Sequence, residues 1–165
     1  MIVGQGLAGC LLARRLSLGG ASCVLVGKSM PMAATPVAAG IMNPVTGKRL
    51  AKSWRTDTYL SQAKDFYREL GREWGQTLIR EGRILRFPNN EEEISRFRKR
   101  KTDARYEPFL GEEYPPHHWA DRDWADEFGS YEILGVSWVD LEKIANAIRR
   151  EFREKDALRE ERLEH

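Results

Sequence analysis

Gly4-Gln5-Gly6-Leu7-Ala8-Gly9 constrains this chain more than any other stretch, because of what stands on either side of it. Met1-Ile2-Val3 reads as the tail of a β-strand. Leu7, Leu11, Leu12, Leu16 and Leu18 then recur at helical spacing, and Gly19-Gly20 ends the pattern. Ser22 to Val26 is a second apolar, β-branched run, suited to a strand buried on both faces. A glycine run alone is weak evidence, but strand, glycine turn, helix and strand in this order make one βαβ unit. In such a unit the first glycine permits the tight turn, the second lets the backbone approach a diphosphate, and the third lets helix and strand pack closely. Gly4, Gly6 and Gly9 fill those places. The free amides at the helix start, Leu7 and Ala8 among them, then hold the phosphates with the helix dipole behind them.

Charge is distributed in the same sense. Residues 1–55 carry seven basic side chains and no Asp or Glu, while the rest carry 20 basic and 25 acidic groups, so the net +2 conceals two opposite halves. A first third without carboxylates suits an anionic ligand. One element of the pattern is missing. The end of the second strand normally supplies an acid that accepts hydrogen bonds from ribose hydroxyls, and here that place is Gly27, followed by Lys28. Gly27-Lys28-Ser29 could instead receive a 2′-phosphate, which points to NADP as the alternative dinucleotide.

Farther along, Ser29 to Gly47 is a loop of small residues, and Thr56 to about Gly82 has the apolar period of a long helix, with Gly71 or Gly75 as a place to bend. Arg83 to Phe87 alternates like a strand. Asn89 or Asn90 caps a short charged helix through about Lys101, with Glu91, Glu92 and Glu93 on the positive end of its dipole. Residues 102–130 are loop-like, Tyr131 to Val136 is a strand, and a helix starts near Asp140 and runs to about Leu158, with Leu141, Ile144, Ala145, Ile148 and Phe152 on its apolar face. Leu163-Glu164-His165 has the look of tag residues. The expected fold class is therefore α/β: a Rossmann-like FAD/NAD(P)-binding start with an α+β appendage. The expected divisions are 1–55 for the nucleotide-binding part, 56–136 for a helix-rich substrate or cap segment, and 137–162 for the C-terminal helix.

Thr35-Pro36-Val37-Ala38-Ala39-Gly40-Ile41-Met42-Asn43-Pro44 separates the two dinucleotides. This string resembles the second signature of the D-amino-acid oxidase and glycine oxidase superfamily, a small-residue stretch that runs along the flavin. Its continuation through Val45-Thr46-Gly47-Lys48-Arg49, with Trp54 behind it, looks like bacterial FAD-dependent oxidoreductases of that superfamily. The resemblance covers the first 55 residues well and residues 56–140 loosely. It implies FAD as cofactor, with Gly4, Gly6 and Gly9 at the diphosphate and Ala38, Ala39, Gly40 and Ile41 near the flavin. It also implies oxidation of an amine or amino-acid substrate by hydride transfer to the flavin. Family members run to about twice this length, so the resemblance makes this an N-terminal portion, inactive alone, with a sheet left uncovered through which copies could associate.

No catalytic side chain is required in such a portion, because the cofactor performs the redox step. Lys48 and Arg49 read as exposed loop cations, with anion contact as the alternative. His117 and His118 are adjacent and have no completing Cys or carboxylate cluster, so no metal site is expected. The basic run Arg96, Arg98, Lys99, Arg100 and Lys101 follows three glutamates and reads as a solvated helix face rather than a nucleic-acid site. No run of 18 apolar residues suggests a membrane span. Cys10 and Cys23 have neither CxxC spacing nor a disulfide framework, which fits buried thiols in a reducing, cytoplasmic setting. A cofactor-free remnant or assembly domain remains the non-enzymatic alternative.

Overall fold

The computed structural model describes residues 1–28, 30, 32–122 and 124–161. Ser29, in the expected phosphate loop, and the tag-like residues 163–165 lie outside them. The chain divides into two compact units, one of Met1–Gly40 with the residues from Val139 onward, the other of Ile41–Trp138.

The first unit is built on a parallel sheet of three two-residue strands in the order β1 (Ile2–Val3), β2 (Leu25–Val26), β9 (Leu158–Arg159). Ile2 pairs with Leu25 and Leu25 with Leu158. Two helices pack on each other beside it, α1 (Leu7–Leu18) and α5 (Leu141–Glu154), and α2 (Ala34–Val37) contacts α5. The parallel strand, glycine turn, helix and strand expected at the start are all present.

The leucine stripe of α1, however, is not its buried face. Cys10 and Ala13 are fully buried, while Leu12 and Leu18 are 52% and 62% exposed. Small side chains win the interior because α5 approaches α1 along that side. α5 itself buries Ile144, Ala145, Ile148 and Phe152, as its period predicts, each large residue contributing about 1.5–3 kcal/mol. Asp140 caps it by accepting from the Lys143 amide at 3.1 Å.

The C-terminal segment is not one helix from 137 to 162. β8 runs through Val139, α5 stops at Glu154, and β9 follows. The stop is a Schellman turn: the Ala157 amide donates to Phe152 O at 2.8 Å and the Asp156 amide to Arg153 O at 3.1 Å. α1 ends the same way on Gly20, and Asp156 takes the left-handed position with φ +52°. Asp156→Gly is therefore expected to stabilise the protein by up to about 1 kcal/mol, since the exposed Arg159–Asp156 pair it removes is worth little. An unchanged melting temperature would show that the aspartate bears no strain there.

The second unit carries β3 (Ile41–Met42), β4 (Val45–Thr46), β5 (Ala51–Lys52), α3 (Thr56–Glu73), β6 (Ile79–Arg86), α4 (Glu91–Lys101), β7 (Leu110–Tyr114) and β8 (Ser130–Val139, its last residue in the first unit). β8 pairs with β3, β6 and β7, and β4 and β5 form a separate hairpin. The core gathers Val45, Leu50, Ile94, Phe97, Tyr106, Phe109, Leu110, Tyr131, Ile133 and Val136, with Phe97 stacked on Tyr131 at 4.2 Å.

Three expectations change here. The segment around 45–50 is a hairpin that drives Val45 and Leu50 into this core, so the 55/56 division does not separate the units. α3 ends at Glu73, because the Gln76 amide returns to Gly71 O at 2.8 Å and Gly75 turns left-handed at φ +61°. Residues 110–114 pair with β8 as a strand, although Pro108, Pro115 and Pro116 gave the stretch 102–130 the composition of a loop. Asn90 caps α4, accepting from the Glu93 amide at 3.0 Å.

Candidate functional site: the glycine turn of the first unit

The turn between β1 and α1 lies where parallel sheets bind ligands, outside the carboxyl ends of the strands. An ideal Cβ on Gly9 would overlap the Gly4 carbonyl oxygen and lie 3.0 Å from its carbon, with Ile2 Cγ2 at 3.7 Å. Gly9 is thus the close-packing glycine. Gly4, at φ +103°, makes the turn with nothing within 4 Å of a side chain there. Gly6 is the N-cap of α1 and has no side chain to satisfy the first amides. Among the described residues nothing accepts from the Gly6 amide. The Cys10 amide donates to Gly6 O at 3.0 Å, which starts the helix.

The Leu7 amide is occupied. It donates to Thr35 Oγ1 at 3.0 Å, and the same oxygen lies 3.2 Å from the Cβ position of Gly6. Thr35, on α2, therefore adds a hydroxyl to the helix start and brings the small-residue segment to the turn. Ala38 and Ala39 follow α2 as exposed residues. Gly40 has a local reason for being glycine: its φ is +68°, an added Cβ would overlap the Val139 carbonyl oxygen, and its own carbonyl accepts from the Val139 amide at 2.9 Å. Ile41 is 46% exposed, belongs to the second unit and pairs with Trp138.

Gly27 sits at the end of β2 with φ +154°, and a Cβ there would meet Gln5 N at 3.3 Å and Gln5 Cγ at 3.4 Å. The place where an acid would stand is crowded by Gln5. This side chain is buried, and its amide Nε2 donates to Gly27 O at 2.6 Å and to Arg159 O at 3.2 Å, across the ends of β2 and β9. Its Oε1 is shielded from solvent and lacks a donor among the described residues. An unmet buried acceptor costs about 1–3 kcal/mol, so the turn holds an acceptor in need of a hydroxyl beside the vacant acid position. Lys28 is exposed.

A cation also supports the turn. Arg149 of α5 donates from Nε to Gln5 O at 3.1 Å and from Nη1 to Asn146 Oδ1 at 2.9 Å. Cys10 Sγ lies 3.3 Å from Gln5 O, and burial pushes its thiol pKa up, against the pull of Arg149. Cys10 is a neutral packing group. Cys23 is only half-buried, donating to Ala13 O at 3.4 Å. Among the described residues no His, Cys, Asp or Glu cluster could hold a metal ion, and no helix is long and apolar enough to cross a membrane.

Gln5, Thr35 and Arg149 were not singled out by sequence. Gln5 had a faint signal, as the one long polar side chain inside the glycine run. Thr35 appeared only as the first residue of the small-residue string and Arg149 had no signal, since only the fold brings residues 28 and 144 positions away to the turn.

A glycine-cornered βαβ turn with a free N-terminal amide defines a dinucleotide-binding class. Within it, the FAD dependent oxidoreductase (DAO) family matches residues 1–161, and the chain belongs to that family. Its fold is similar to iminodiacetate oxidase (IdaA) from Chelativorans sp. BNC1 (20% identity, TM-score 0.61), covering 96% of this chain and 45% of that one. It is also similar to glycine oxidase from Geobacillus kaustophilus (17%, TM-score 0.69, 89% and 42%) and to L-amino acid deaminase from Proteus vulgaris (20%, TM-score 0.64, 95% and 37%). The chain spans less than half the length of each of these structures. A comparison with curated protein sequences gives no match. The residues at the turn fit the dinucleotide end of FAD: a glycine cradle that a Cβ would fill, a free amide, and an orphaned buried acceptor.

Proposed function

We propose that this chain supplies the dinucleotide-gripping part of an FAD-dependent oxidoreductase that oxidises an amine or amino acid. The observation that carries the reading is the open helix start, where the Gly6 amide has no acceptor among the described residues and lies beside the Thr35 hydroxyl. The Gly6 and Ala8 amides and the Thr35 hydroxyl hold the diphosphate, with the dipole of α1 aligned behind them. Arg149 fixes the carbonyl of Gln5 and so the shape of the turn. Gln5 Oε1 takes the ribose hydroxyl that an acid at position 27 would otherwise accept. When bound, the flavin would supply the acceptor for a hydride leaving a carbon next to an amine. Family membership favours FAD over NADP, whose case rests on the short run Gly27-Lys28-Ser29. The free thiols fit a reducing, cytoplasmic setting. The edge of β1, with Val3 60% exposed, is where a second copy or further strands would add.

Melting temperature measured with FAD, ADP and NADP tests the reading, since ligand at 100 times its dissociation constant adds about 2.7 kcal/mol. FAD and ADP should raise it. No shift with any of the three sinks the reading in favour of a cofactor-free domain, and a shift with NADP alone moves it to the other dinucleotide. The Gln5 role has its own readout. ADP should bind about 2- to 12-fold tighter than 2′-deoxy-ADP, the worth of one neutral hydrogen bond. In Gln5→Met that ratio should fall to one. A wild-type ratio of one would remove the ribose contact and leave the diphosphate grip intact.

A further inference from the structure

Two basic motifs 47 residues apart in sequence meet in the second unit. Arg49, from the β4–β5 turn, and Arg96, Lys99 and Arg100, from α4, line one cavity of about 380 Å³ together with Asp103. Positions 96, 99 and 100 fall on one face of the helix, by the three- and four-residue spacing that makes helix neighbours, and Asp103 follows just past its C-terminal end. The other members of the basic run are committed elsewhere, Arg98 to Glu113 at 2.6 Å and Lys101 to Gly111 O at 2.7 Å. They support the reading of a solvated face. The cavity does not.

The arrangement is held in place. Arg86 donates to Gly47 O at 2.9 Å and Arg96 to Lys48 O at 2.8 Å, so two arginines clamp the hairpin turn from below. Leu50, next to Arg49, is 1% exposed and adopts φ +49°, a strained conformation held by its burial in the core. Arg96 also pairs with Glu92, and Arg100 lies over the Tyr106 ring at 4.6 Å. Asp103 is turned to Arg105, whose guanidinium bonds hold its carboxyl at about 2, so it stays ionised and internally paired. Among the described residues the Arg49 guanidinium and the Lys99 ammonium have no hydrogen-bond or ion-pair partner. Four cations therefore face one space with two of them uncompensated, and like charges at such range repel.

We propose that this cavity is a second binding site, for a compact phosphate-bearing anion such as a diphosphate. Arg49 and Lys99 supply the unpaired donors, and Arg100 adds charge from the wall. Guanidinium forks suit phosphoryl oxygens. A long nucleic acid is disfavoured, because Glu91 and Glu92 on the same helix would repel a chain that runs past the cavity.

Inorganic pyrophosphate is the probe, titrated calorimetrically into the full chain at constant ionic strength. The Arg49→Gln, Lys99→Gln double variant, with both sites exposed and the unliganded melting temperature as a check on folding, should bind at least about tenfold more weakly. FAD or ADP binding should be unchanged in that variant, so failure here is distinct from failure at the glycine turn. Equal pyrophosphate affinity in wild type and variant overturns the proposal and would place the binding elsewhere, at the turn for instance. Tighter binding of a single-stranded oligonucleotide of equal charge overturns it too, in favour of a nucleic-acid surface. No heat beyond a chloride control also ends it.

Discussion

Gly9→Ala is expected to unfold the first unit, at a cost of more than about 3 kcal/mol. The added methyl cannot find room by rotating, because the atom it overlaps is the backbone carbonyl of Gly4, on the turn that leads into α1. Relief would require α1 to lift from β1 and would break the Cys10–Gly6 bond that starts the helix. Gly20→Ala is the control. Its φ of +83° strains a side chain, but nothing lies within 4 Å of the new carbon, so only about 1 kcal/mol is at stake. Protection of the Leu25 and Val26 amides against hydrogen exchange should collapse in Gly9→Ala and survive in Gly20→Ala. Equal protection in the two variants would mean that the close helix–strand contact is not what the third glycine provides.

Gly40→Ala should be almost as damaging. Two penalties add at one residue: a left-handed backbone at φ +68°, and overlap with the Val139 carbonyl oxygen, whose carbon would lie 3.1 Å away. The Gly40 carbonyl would also be displaced from the Val139 amide. The resemblance assigned Gly40 to the flavin, whereas the structure gives it a packing role, and the two make opposite predictions. A packing glycine loses stability first, seen as a lower denaturation midpoint in urea with no ligand present. Unchanged stability with weakened FAD binding would return Gly40 to the list of ligand contacts.

What could be read from sequence follows from how local each signal is. The glycine turn, the span of α1 and the caps Asn90 and Asp140 were legible, because each rests on residues within a few positions of one another. β9 was not, since Leu158 and Arg159 carry no period and become a strand only by pairing with β2. α3 looked longer than it is because Leu78 continues its apolar period, while the left-handed Gly75 overrides it. The buried face of α1 was misjudged because leucines outnumber the small residues that α5 selects. At the site, the turn itself was legible in the glycines, whereas the Leu7 amide, expected as a free donor, is occupied by Thr35. Of the side chains that complete it, Thr35 opened the small-residue string without a stated role, and Arg149 arrives from an element that nothing near the turn foretells.

The order in which the chain emerges during synthesis gives the C-terminal strand a particular burden. Leu25 waits for Leu158, and closing an unstructured loop of that length costs on the order of 4 kcal/mol in entropy. Ile41 and Trp138, the first and last residues of the second unit, are themselves cross-strand partners. Once that unit has folded, the long tether becomes a short one, and β9 can add to β2. Slow refolding of the first unit, gated by the unit inserted between its two segments, is the kinetic signature this topology implies.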